Sequence, residues 1–149
     1  MSRAGRFFTW AELTRSGTAE RLGLSNAPTA GILLALQRLV DQTLDPLRAV
    51  LGRPIRVASG YRSPAVNAAV GGSEGSQHTR GEAADITVEG MASEEVVRAL
   101  VGSGIPFDQV IWYAPERGGH AHISYTDRRP LRRQTLHAPA SGGYVPWRP

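Results

Sequence analysis

A chain of 149 residues, 41% hydrophobic and 20% charged, has apolar material for one domain core and too little length for two. It contains no cysteine, which excludes disulfides, thiolate ligands and a cysteine nucleophile, so a metal site would have to use nitrogen and oxygen. No apolar run approaches the roughly 20 residues of a bilayer span, and a net charge of +4 without a recognition helix or stacking platform argues against nucleic acid as partner.

Residues 1–10 are basic and aromatic and lack the apolar stretch and cleavage site of a secretory signal, so synthesis in the cytoplasm is expected. Thr9 and Glu12 have the spacing of a capping box and should open a short helix that ends before Gly17. A second helical turn spans 18–22 and stops at Gly23. The longest helix begins near Pro28, which suits a first helical position. In it Ile32, Leu33, Leu36, Leu39, Val40, Leu44, Leu47, Val50 and Leu51 recur at three- and four-residue spacing as one apolar stripe. Pro46 lies inside that stripe and should kink or restart the helix, with Asp45 as a new cap, before Gly52 ends it.

Residues 55–58 read as a strand, 63–70 as a short helix capped by Ser63 ahead of Pro64, and 72–81 as a polar, glycine-rich loop. Next come a strand over 83–88 and an amphipathic helix from Ser93 to about Gly102. Strands at 107–113 and 120–125 then pair as an antiparallel hairpin. Residues 126–149 form a C-terminal extension with a strand near 133–136 and a proline- and glycine-rich tail. Its Arg128, Arg129, Arg132 and Arg133 read as a solvated face and His137 as a surface residue. Helices first, strands later and short crossovers point to the α+β class, with a small antiparallel sheet, helices on one side and a single domain over 1–149.

The chemistry concentrates in two places. His78 and Asp85 lie seven positions apart on a loop and the strand that follows it, and a turn between them brings both side chains to one point. His120 and His122 are two apart on a strand and so share one face of the sheet. Two imidazoles and a carboxylate suit zinc with one position left open, as in catalytic sites. Spacing alone fits this reading and the plainer one, in which these are satisfied or half-exposed side chains, about equally.

Ser59-Gly60-Tyr61-Arg62-Ser63, Asn67, Ser76-Gln77-His78 with Asp85-Ile86, and His122-Ile123-Ser124-Tyr125 together resemble the zinc D-Ala-D-Ala carboxypeptidase and L-Ala-D-Glu endopeptidase family. The likeness extends from about Phe8 to Tyr125, and the ligand pattern is also similar to lysostaphin-type peptidases and the hedgehog signalling domain. The resemblance implies a hedgehog/DD-peptidase-like fold and a Zn2+ ion held by His78, Asp85 and His122. It also implies Arg62 on a carboxylate or carbonyl of the substrate, Ser76 lining the substrate site, and the stem peptide of peptidoglycan as substrate. A monomer is expected. Many family members are phage-encoded, so a lysin that reaches the cell wall through another protein's membrane lesion is the expected setting.

The general base departs from the pattern. Carboxypeptidase-like members carry an acid three residues before the last ligand, where this chain has Gly119, and related phage proteins carry Glu where it has Tyr113. The base then falls to Glu116, at a spacing similar to hedgehog domains, or to His120, as the lysostaphin-type resemblance implies. The alternative is a zinc-containing module that binds the cell wall, or serves in a phage particle, without turnover.

Overall fold

Residues 2–149 are described by a computed structural model. The elements are α1 (Trp10–Thr14), α2 (Gly17–Leu22), α3 (Ala30–Leu39), α4 (Asp45–Leu51), β1 (Ile55–Ser59), α5 (Pro64–Ala69), β2 (Ala83–Val88), α6 (Ser93–Gly102), β3 (Gln109–Tyr113), β4 (Ala121–Ser124), β5 (Gln134–Ala138) and β6 (Val145–Pro146). The capping box forms: Glu12 N–H donates to Thr9 Oγ1 at 3.3 Å, and Thr9 N–H to Glu12 Oε2 at 2.8 Å. The long helix starts at Ala30 because Thr29 Oγ1 accepts from Ile32 N–H at 3.2 Å, a cap that Pro28 has no side-chain oxygen to provide.

Pro46 does not break the helix. A π-helical turn, Val40–Leu44, joins α3 to α4, and Asp45 N–H bonds to Val40 O, five residues back. The wider turn relieves the clash a proline ring makes with the carbonyl four residues earlier. Asp45 is therefore helical and not a cap. Its carboxylate accepts from Arg6 N–H at 2.7 Å and Phe7 N–H at 3.2 Å, which ties the N-terminal segment to α4.

Leu36, Leu39, Val40, Leu44 and Leu47 are fully buried, whereas Val50 of the expected stripe is exposed. They share one core with Val96, Val97 and Leu100 of α6 and with Ile86, Val110, Ala121 and Ile123 of the sheet. The α+β class holds, with six strands in the order β1-β2-β4-β3-β5-β6. One pair departs from the expected antiparallel sheet. After the β3–β4 hairpin the chain crosses the N-terminal end of β3, and β5 lies parallel to it. The extension thus forms part of the sheet, with β6 on its edge, where the missing N–H of Pro146 breaks no ladder.

Alternation puts Ile86, Ala121, Ile123 and Val110 on the core face and leaves Asp85, His122 and Ile111 on the other. Register lines up Ser59, Asp85, His122, Ile111 and Leu136 as one row across five strands. Directly opposed cross-strand side chains sit about 4.5–5.5 Å apart at Cβ, so the ladder itself makes Asp85 and His122 neighbours.

Candidate metal centre

The row opens onto a cleft of about 730 Å³ lined by Arg62, Ser76, Gln77, His78, Asp85, Tyr113, His120, His122 and Tyr144, among others. His78 reaches it from a 3-10 turn, Gln77–Arg80, inside the segment expected as a plain loop. Ser76 Oγ starts the turn by accepting from His78 N–H at 3.2 Å, and Gly81, at φ 71°, closes it in the left-handed region.

The Ser-Gly-Tyr-Arg segment after β1 is stitched on both sides. Tyr61 N–H donates to Leu13 O of α1 at 2.8 Å, and Arg62 N–H donates to His78 O at 3.1 Å. Gly60 lies so close to α1 that a Cβ there would overlap the Leu13 carbonyl. Its own carbonyl accepts from His78 Nδ1–H at 2.8 Å. A carbonyl only accepts, so this bond fixes the proton on Nδ1 and leaves the Nε2 lone pair facing Asp85 Oδ1 at 3.2 Å.

His122 is held by the opposite nitrogen. Its Nε2–H donates to Gln77 Oε1 at 2.8 Å, and Nδ1 faces the same Asp85 Oδ1 at 3.2 Å. Two imidazole lone pairs and a carboxylate oxygen therefore converge within 4.8 Å with no proton left to bridge them. Three acceptors pointing at one another repel unless a cation lies between them. A tetrahedron with bonds of about 2.0–2.1 Å has edges near 3.3 Å, close to both N···O separations. The donor set fits zinc.

A proton on either imidazole is the other way to relieve that repulsion, and Asp85 responds to it. Burial alone would push the Asp85 carboxyl up, but His78 and His122 hold it well below the usual carboxylate range. Burial pulls the His122 imidazole down, against the opposing effect of Asp85.

The other expected site residues divide. His120 Nε2 stands 3.8 Å from Asp85 Oδ2, and its ring stacks on Tyr113 with centroids 4.2 Å apart. Burial holds the His120 imidazole below its ordinary value; Asp85 opposes this, while His78 and Arg62 add to it. Arg62 lines the cleft, and its Nε is buried without a hydrogen-bond partner. Burial lowers the Arg62 pKa against the pull of Asp85 and Tyr113. Ser76 lines the cleft while capping the His78 turn. Glu116 is exposed on a 3-10 turn, Pro115–Arg117, and is not part of the cleft lining.

One reading of the extension is corrected and another refined. Arg128, Arg132 and Arg133 are exposed and Arg129 half-buried, as expected of a solvated face, but their guanidinium groups are engaged. Arg129 and Arg132 both bind Asp108, which is fully buried; Arg128 grips buried Glu82 with Nε and Nη2 at 2.8 and 3.0 Å; and Arg133 lies over the Phe107 ring. His137 is half-buried and stacks on Trp112 at 3.4 Å between centroids, beside its strand partner.

Sequence reasoning also missed Gln77 and the Tyr113–Tyr144 pair, whose hydroxyls lie 3.1 Å apart at the cleft wall. Burial raises the Tyr113 pKa well above the ordinary phenol value, and Tyr144 adds to the effect. The only available signal for Gln77 was its place between Ser76 and His78.

Residues 6–124 match the sequence profile of the peptidase M15 family. Over 124 residues, 82% of its length, the chain is 31% identical to the zinc D-Ala-D-Ala carboxypeptidase of Streptomyces albus G. It spans about half of that relative, 47%.

Proposed function

The chain belongs to the peptidase M15 family, and on that premise we propose that it is a zinc metallopeptidase that hydrolyses a peptide bond in the stem peptide of peptidoglycan. The bond is of the D-Ala-D-Ala or L-Ala-D-Glu type, and the place of action is the bacterial cell wall. One observation carries the reading: His78, Asp85 and His122 turn two lone pairs and a carboxylate oxygen on one point, with both N–H groups committed elsewhere.

His78 Nε2, Asp85 Oδ1 and His122 Nδ1 would hold the ion. A bound zinc polarises a carbonyl and brings the pKa of a water towards roughly 7. The chain's own groups supply the rest. Arg62, whose guanidinium lines the cleft, takes a carboxylate or carbonyl of the peptide, and the hydroxyl proton of Ser76 is available to the substrate backbone. His120, held neutral by burial, accepts the proton of the attacking water at an imidazole nitrogen and returns it to the leaving amine. His120 takes this role over Glu116 because it lines the cleft and Glu116 does not.

The test is hydrolysis of purified stem peptides, read by mass spectrometry of the products. Zinc should restore activity to chelated protein, and His78→Ala should lose both zinc binding and activity. A chain that binds zinc and peptidoglycan but frees no new amine termini would support the second reading, a non-catalytic module, which the glycine at position 119 favours.

A further inference from the structure

From the ring nitrogen of His122 that does not face Asp85, a chain of hydrogen bonds runs along the cleft wall to the extension. Gln77 Oε1 accepts from His122 Nε2–H, and Gln77 Nε2 donates to Asp108 Oδ2 at 3.0 Å. Asp108 is fully buried. Arg129 donates to both its oxygens at 2.8 and 2.9 Å, Arg132 Nη2 to Oδ2 at 2.8 Å, and Arg132 N–H to Oδ1 at 3.0 Å.

We propose that Gln77 is a positioning residue that dictates which nitrogen His122 presents to the metal, and that Arg129 and Arg132 of the extension hold it in that role through Asp108. The inference rests on the zinc-site reading above. Every group around Asp108 is a donor, so its carboxylate acts purely as an acceptor. The Gln77 amide must then turn its NH2 towards Asp108 and its oxygen towards His122. The reverse orientation would set two acceptor oxygens 3.0 Å apart with no proton between them.

An amide oxygen only accepts, so His122 must carry its proton on Nε2 and leave Nδ1 bare. If the amide turned over, its NH2 would face Nε2 and favour the proton on Nδ1, which would block the coordinating nitrogen. Both arginines lie beyond residues 6–124, the part that matches the family. Residues beyond the matched stretch thus select the tautomer of a ligand within it. The His78 tautomer, by contrast, is set by a backbone carbonyl and does not depend on the extension.

Long-range 1H–15N correlation spectra of the metal-free, 15N-labelled protein report which imidazole nitrogen is protonated. The wild type should show His122 with its proton on Nε2. Gln77→Met keeps the length and removes both hydrogen bonds, so it should release the preference and lower zinc affinity by about 10–100-fold. Asp108→Asn frees the amide to turn and should shift the tautomer the same way, while His78 keeps its proton on Nδ1 in both variants.

A wild-type His122 protonated on Nδ1 would overturn the proposal, as would an unchanged tautomer in folded Gln77→Met. Failure of the wild type to bind zinc would instead sink the peptidase reading, since the tautomer is measured without metal.

Discussion

Replacing Gly60 with alanine tests whether the first helix and the first ligand are mechanically linked. Gly60 is not in the left-handed region, so its conformation tolerates a side chain. The space does not, because the new Cβ would overlap the Leu13 carbonyl oxygen and sit 2.8 Å from its carbon and 3.0 Å from Leu13 Cα. These are backbone atoms of a buried residue in α1, tied to Tyr61 N–H, and cannot swing aside as a flexible side chain would. Inserting a methyl into packed structure costs about 1–3 kcal/mol. At about 2–4 °C per kcal/mol for a domain near this size, the melting temperature of the metal-free protein should fall by on the order of 6 °C. Relief of the overlap also moves the Gly60 carbonyl off His78 Nδ1, and loss of such an outer bond weakens metal binding about 10–100-fold. Calorimetry and a zinc titration read the two effects separately. Gly17→Ala, in α2 with no atom near its new Cβ, is the control and should be neutral or mildly stabilising. If Gly60→Ala leaves both the melting temperature and the zinc affinity unchanged, the linkage is wrong.

Zinc at about 100 times its Kd should add about 2.7 kcal/mol to stability, and a chelator should reverse the gain. An unmoved melting curve would count against the site. His120→Ala should lower turnover on stem peptides by about 10²–10⁴ while zinc stays bound, and Glu116→Gln should keep most activity; the opposite pattern would transfer the base to Glu116. Asp108 titrates well below the ordinary carboxylate value because of its arginine hydrogen bonds, which outweigh burial. A depressed folded-state pKa gives stability that is present above the unfolded value of about 3.9 and lost as pH falls below it. The stability gap between wild type and Asp108→Asn, read by urea unfolding, should therefore be widest near neutrality and shrink below about pH 4. A gap that does not vary with pH would refute the ionic role.

Local pattern carried much of the fold. The capping box at Thr9, the strand over Ala83–Val88 and the hairpin follow from side-chain chemistry and two- or four-residue periods, which act within one element. His-X-His likewise places His120 and His122 on one face without any knowledge of neighbours. What the pattern lacked was pairing. Nothing in residues 133–138 says whether a strand runs with or against β3, and the parallel pairing of β5 depends on where the chain crosses Asp108. The ion pairs of Arg128, Arg129 and Arg132 were hidden because sequence supplies a charge without its partner, and the partners Glu82 and Asp108 are buried 21–46 residues earlier. Gln77 was invisible for a similar reason: its function lies in the direction of its amide, which only Asp108 fixes. The π turn at Pro46 is a compromise between a helix already packed on the core and a residue lacking an N–H, and the sequence shows only the second half of that conflict.

The position of the arginine clamp in the chain also decides what a truncation would take away. All three ligands and the β2–β4 ladder precede Arg129 and Arg132, so a chain cut after Tyr125 would keep every ligand and lose β5, β6 and both arginines. In such a chain Asp108 would stand at the N-terminal end of β3 as a carboxylate without countercharge, in a position that is fully buried in the whole fold. A lone charge of that kind resists burial. Cutting at the last ligand would therefore spare the donor set and remove what aligns it.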